Sequence, residues 1–122
     1  EIFKNKFLRV MSKFNSTHNK GFQMTFDNGF RLSVQWGIGN YCQKKSDGMF
    51  GDEMKGKFWE STSAEIAVFN DNIKDTPIIP LNDGLDMVCG WLNTDQVAKV
   101  MVIVQSAKSA DEIILKCKAL NL

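Results

Sequence analysis

The fold turns on residues 22–36, Phe22-Gln23-Met24-Thr25-Phe26-Asp27-Asn28-Gly29-Phe30-Arg31-Leu32-Ser33-Val34-Gln35-Trp36. Phe22, Met24 and Phe26 alternate with polar residues before a turn signal, and Phe30, Leu32, Val34 and Trp36 alternate after it. This pattern is a β-hairpin, and its register follows from the turn. A two-residue Asn28-Gly29 turn pairs Phe26 with Arg31 and sends the two apolar sets to opposite faces. A three-residue Asp27-Asn28-Gly29 loop pairs Phe26 with Phe30, Met24 with Leu32 and Phe22 with Val34. That register collects all the apolar side chains on one face, and Gly29 supplies the left-handed residue that closes such a loop. Arg31, Ser33 and Gln35 then point the other way.

Working outward, residues 64–69 (AEIAVF) predict a strand ended by Asn70-Asp71-Asn72. Pro77 and Pro80 hold Ile78-Ile79 extended, at an edge or in a loop. Residues 85–92 (LDMVCGWL) predict a mostly apolar strand buried on both faces. Thr94 is expected to cap a helix with Asp95 in its first turn. Val97, Val100, Met101 and Val104 form one stripe of it, but Ala98, Val102 and Ile103 make it apolar nearly all round. Such a helix is covered on two sides, by the sheet and by a partner subunit; the β-branched run leaves a strand as the alternative. Ser109-Ala110-Asp111-Glu112 is a capping-box pattern, and Ile113, Ile114, Cys117 and Leu120 line one face of the helix it opens. Upstream, Phe3, Phe7, Val10, Met11 and Phe14 recur at helical spacing among lysines, which predicts a short basic amphipathic helix over residues 2–14. Packing on the domain or on a second chain is its expected role. The order gives an α+β fold: an antiparallel β-sheet with helices packed on one side, two C-terminal helices and a short N-terminal helix, in a single domain spanning residues 1–122.

Charge and cysteine usage exclude several classes. Fifteen Lys and Arg face fourteen Asp and Glu, a net charge of +1. This leaves no field for capturing duplex nucleic acid by counterion release. Arg9 and Arg31 are the only arginines, so a site needing several bidentate phosphate contacts must draw on two chains or on lysine. Cys42, Cys89 and Cys117 show no CxxC or Cys/His spacing, which argues for free buried thiols in a reducing compartment. No apolar run approaches the ~20 residues of a membrane span and no signal-peptide pattern opens the chain, so no membrane contact and a cytoplasmic location are expected.

Candidate chemistry is sparse. His18 is the only histidine and lies in a polar linker. A pair with Cys42 lacks an orienting third group, and a solvated loop histidine is the simpler reading. The carboxylates are scattered, with no pair at a motif spacing. The expectation is therefore no catalytic residue, no metal and no cofactor. Gly37-Ile38-Gly39-Asn40-Tyr41-Cys42 directly follows a strand. Its backbone N–H groups suit a phosphate, but no third Gly and no Lys-Ser/Thr completes a nucleotide motif, so a strand-ending turn is the alternative. Residues 37–60 are glycine-rich and carry Tyr41, Phe50, Phe58 and Trp59. They read as a loop closing over a ligand or as a surface excursion pinned by its aromatics.

Residues 22–36 followed by GIGNYC, the AEIAVF strand, and Gly90-Trp91-Leu92-Asn93-Thr94-Asp95-Gln96-Val97 together resemble a family of small phage proteins. Those proteins show a hairpin ending in SVQ-aromatic-G-x-GNYC, an AE(I/V)A strand and a GW(L/V)-x-(T/P)-D-x-V helix entry. The resemblance is to the Thoeris anti-defence sponge family and covers residues 20–42, 64–69 and 90–105. It implies a phage protein that sequesters an immune second messenger, a cyclic ADP-ribose isomer or a cyclic oligonucleotide, without cleaving it. It further implies an assembly of several subunits acting in the host bacterial cytoplasm. The family's ligand contacts do not map residue by residue, so the candidates here come from chemistry. Trp36, Tyr41, Trp59 and Trp91 offer ring faces, Gly39 an open backbone, Asn40 and Asn93 carboxamides, and Arg31 a cation that symmetry could use twice. The competing classes are a protein–protein inhibitor of a host nuclease complex, of the anti-CRISPR type, and a structural subunit.

Overall fold

The structure, a computed structural model, describes residues 11–17, 20–37, 39–43, 60–82 and 87–122. Its elements are β1 (Lys13–Ser16), β2 (Gly21–Thr25), β3 (Phe30–Gln35), β4 (Ala64–Asn70), β5 (Ile78–Ile79), β6 (Cys89–Leu92), α1 (Thr94–Ser106) and α2 (Ala110–Ala119). The strands form one antiparallel sheet in the order β1-β2-β3-β4-β5, with β6 also pairing with β4. The fold is thus α+β, an antiparallel sheet followed by two C-terminal helices.

The β2–β3 hairpin adopts the register that gathers the apolar residues. Phe22 faces Val34 and Met24 faces Leu32. Phe26 N–H donates to the Phe30 carbonyl at 2.9 Å, and Gly29 N–H donates to the Phe26 carbonyl at 2.9 Å. Gly29 has φ 85°, a backbone conformation that favours glycine, and a Cβ there would also displace the Asn72 carboxamide. Across the next pairing, Leu32 faces Val68 and Val34 faces Ile66. One face of the sheet is therefore a continuous aliphatic surface. Val100 and Val104 of α1, with Ile113 and Cys117 of α2, complete the core on that face. The hairpin loop is tied to the helix layer by Asn28, whose Nδ2 donates to the carbonyls of Val104 and Ala107 at 2.8 and 2.9 Å.

Three sequence expectations change. The N-terminal helix over residues 2–14 falls mostly outside the described residues, and its described end does not continue as a helix. Lys13–Ser16 is an edge strand that places Phe14 opposite Met24. Phe14 and Met11 remain exposed, so the described end of that stretch adds nothing to a buried face. The expected strand over residues 85–92 shortens to Cys89–Leu92, with residues 83–86 outside the described set. Nor is it buried on both faces, since Trp91 is 57% exposed. The cause is a bulge: Leu92 pairs with Ala64 and Cys89 with Ile66, three steps on β6 against two on β4. The extra residue lets Leu92 and Cys89 both face the core and turns Trp91 outward. Finally, the N-cap of α1 is Asn93, not Thr94. Its Oδ1 accepts from Gln96 N–H at 2.9 Å while Gln96 Oε1 accepts from Asn93 N–H at 2.9 Å, a complete capping box. The cap of α2 is as expected at Ser109, whose Oγ accepts from Glu112 N–H.

Candidate ligand-binding cavity

Where β3 ends, β4 begins and α1 starts, the sheet and helix layers part around a cavity of about 460 Å³. Its floor is apolar, from Val34, Ala64, Leu92 and Val97, and its aromatic wall is Phe22 with Trp36. Those two rings meet edge to face, with centroids 6.4 Å apart at 70°, the arrangement that ring quadrupoles favour. The rim is polar: Glu60, Ser61, Thr62, Ser63, Asn93 and Thr94.

Each part of the rim has a local cause. Asn93 and Thr94 are present because the helix must start there, and the capping box fixes the Asn93 side chain. Its Oδ1 is engaged by Gln96, and its Nδ2 is not used by the capping box. Ser61 and Ser63 hold the approach to β4. Ser61 Oγ donates to the Ser63 carbonyl at 2.6 Å, and Ser63 Oγ accepts from Gln43 N–H at 2.9 Å. Gln43 in turn accepts from Thr62 N–H through Oε1 at 2.9 Å. The segment before β4 is thereby cross-linked to the end of the turn that follows β3.

The electrostatics of the rim are one-sided. Among the described residues lining the cavity, Glu60 is the only ionisable one. The N-terminus of α1 contributes a partial positive charge, worth about 0.3–1 kcal/mol to an anion. Asp95, in the first helical turn, and Glu60 oppose it. A phosphate inside the cavity therefore meets no described cation and at most a weak helix dipole, whereas an uncharged ring meets aromatic and aliphatic walls.

The eight residues singled out from the sequence are not all brought together. Trp36 and Asn93 line the cavity. Gly39, Asn40 and Tyr41 belong to the neighbouring turn after β3, and Trp91 lies on β6 beside it. Asn40 closes it, accepting from Gly37 N–H through Oδ1 and donating from Nδ2 to Glu65, each at 3.0 Å. Glu65 also accepts from Tyr41 N–H at 3.1 Å, and Trp91 N–H donates to the Tyr41 carbonyl at 2.9 Å. The described residues of that run, 37 and 39–42, thus form a strand-ending turn laid against the β6 bulge. Gly90 permits that contact, since a Cβ there would lie 2.4 Å from the Tyr41 Cβ. Trp91 itself sits at φ 63°, a conformation that costs a bulky residue about 1–3 kcal/mol. Gly39 is exposed at the tip.

Arg31 stands elsewhere, on the sheet face opposite the helices. Its Nε and Nη2 bind Asp71 at 3.0 and 3.1 Å, its Nη1 donates to Gln23 at 2.8 Å, and its Cζ lies 4.3 Å above the Phe69 ring. This half-buried bidentate pair, stacked on an aromatic face, holds the guanidinium to the fold through Nε, Nη1 and Nη2. Trp59 lies outside the described residues, as does most of the 37–60 segment read as a closing loop.

Phe22, Glu60, the Ser61-Thr62-Ser63 run and Val97 were not singled out as site residues from the sequence. Phe22 and Val97 have the spacing of ordinary core positions. The hydroxyl run precedes the AEIAVF strand and reads as a loop. Only the packing of that loop against the helix start makes these residues neighbours.

Among the described residues, no group of three or more His, Cys, Asp and Glu side chains converges as metal ligands, and no helix is long and apolar enough to cross a membrane. No family model, curated protein or solved structure matches the chain.

Proposed function

We propose that this protein is a binding protein that holds a nucleotide-type small molecule in the Phe22–Trp36–Asn93 cavity and releases it unchanged, as a phage sponge for a cyclic nucleotide immune signal does. The observation that carries the reading is the cavity itself. Its volume of about 460 Å³ falls in the ordinary range of small-molecule sites, roughly 300–1,000 Å³. It combines an aromatic wall with a rim of hydroxyls and a carboxamide, the mixture that suits a nucleobase and its sugar. The resemblance of the hairpin, the AEIAVF strand and the GWLNTDQV helix entry to the Thoeris anti-defence sponges adds the identity of the ligand, a cyclic ADP-ribose isomer or a cyclic oligonucleotide. It also adds the setting, the cytoplasm of an infected bacterium. Arg31 is committed to Asp71 in every copy of the chain, so it is not the group that meets the ligand's phosphates, and the assembly of several copies rests on the resemblance alone.

Sequestration demands an affinity above that of the immune effector. Nanomolar binding corresponds to about −12 kcal/mol. The test is retention. The protein is incubated with a panel of cyclic ADP-ribose isomers and cyclic oligonucleotides, freed of unbound material, heat-denatured and its supernatant chromatographed. Recovery of one intact compound is expected. Linear or cleaved products would make the protein an enzyme, and retention of none would favour an inhibitor that acts by protein–protein contact.

A further inference from the structure

We infer that the cavity holds the base end of its ligand, a purine bearing an exocyclic amino group, with the Glu60 carboxylate accepting from that amine and the phosphates left outside. The inference rests on the binding function proposed above and specifies what enters the cavity. Three features of the structure carry it. The aromatic wall of Phe22 and Trp36 and the aliphatic floor form a surface for a planar uncharged ring. Glu60 is the only ionisable residue among the described ones lining the cavity, and a carboxylate is an acceptor only. It therefore pairs with an N–H group and repels a phosphate. The pull of the α1 N-terminus on an anion is countered within the same turn by Asp95. A ligand that offers both a purine and a pyrophosphate is thus oriented ring inward.

Calorimetric titration of the full chain separates the alternatives, with adenosine, purine riboside, AMP and inorganic pyrophosphate as probes. Purine riboside differs from adenosine only by the missing amine. Adenosine is expected to bind about tenfold more tightly than purine riboside, the usual gain from one hydrogen bond to a charged group. Glu60→Ala should remove that difference, so that adenosine and purine riboside bind this variant with equal affinity. AMP should match adenosine, and pyrophosphate should not compete with either. AMP binding far more tightly than adenosine, with pyrophosphate competing, would place the phosphate in the cavity. That result overturns the orientation but leaves the sponge function standing. Equal affinity for adenosine and purine riboside removes the role of Glu60 and overturns the inference. Binding of none of the probes, together with retention of an intact cyclic nucleotide in the chromatographic test, also overturns the base-inward assignment. Failure of both experiments overturns the binding function as well.

Discussion

Thr25 is 4% exposed on the sheet face that carries Arg31, and its hydroxyl has no hydrogen-bond partner among the described residues. A buried hydroxyl left unpaired costs about 1–3 kcal/mol. Thr25→Val keeps the shape and the β-branch while removing the polar atom. It should stabilise the protein by about 1 kcal/mol, seen in a thermal melt as a rise of roughly 3–6 °C. A fall in Tm would mean that the hydroxyl does have a partner. The cysteines give a second test at this scale. Cys42, Cys89 and Cys117 are all buried and none is in a disulfide. Burial, with a smaller contribution from the nearby Cys89, pushes the Cys117 thiol from 9.0 up to about 11. The sign follows from linkage: the fold favours the neutral thiol. The stabilisation is therefore complete below about pH 9 and is lost as pH rises towards 11. Native protein at pH 8 should show no fast-reacting thiol towards a disulfide reagent, and denatured protein three. The drop in Tm between pH 9 and pH 11 should be smaller in Cys117→Ala than in the parent chain. A thiol reacting at the free rate in the native state would contradict the burial.

Among the elements, α1 joins stability to the candidate site, because its first turn is also the cavity rim. Asn93→Ala breaks the capping box and should cost about 1 kcal/mol, while Asn93→Asp keeps the acceptor and most of that stability. If the carboxamide Nδ2 also serves the ligand, the aspartate variant should melt like the parent yet bind more weakly. Equal stability of the alanine variant and the parent would show that the cap contributes nothing. The β2–β3 hairpin was legible because its period-2 pattern and its Asp-Asn-Gly loop point to one register, which the pairing of Met24 with Leu32 obeys. The β6 bulge was not legible. A period-2 reading cannot show that Cys89 and Leu92, three residues apart, both face inward, since that requires an extra residue on one strand. The strand at Lys13–Ser16 was hidden for another reason. Its side chains are exposed, so its pairing rests on backbone hydrogen bonds to the β2 edge, which leave no hydrophobic pattern.

At the scale of the whole molecule, both helices pack on one face of the sheet, and their outer surfaces keep apolar residues in solvent. Val102 on α1 is 65% exposed and Leu115 on α2 is 71% exposed. The expected covering of α1 on its second side is not supplied by this chain's described residues. Self-association through that helix follows as an expectation, with Val102→Glu shifting the protein towards monomer. Light scattering decides it: a mass of 13.8 kDa for the unmodified chain would mean that the exposed valine needs no partner.

The sequence by itself determined the α+β class, the hairpin register, the β4 strand and the two C-terminal helices, because periodicity, turn residues and caps are local signals. Of the candidate site, it located Trp36 at the end of a strand and Asn93 at the entry to a helix. Tertiary structure decided which candidates share a cavity. Asn40 closes its own turn through Glu65, Arg31 turns to the opposite face and binds Asp71, and Trp91 is carried outward by a bulge. Meanwhile Phe22, Glu60 and the serine–threonine run, distant in sequence, come together at the start of α1. The physical reason is that a cavity is the space left between packed layers. Its lining depends on how the sheet, the loop before β4 and the helix meet, and no local pattern in the chain records that meeting.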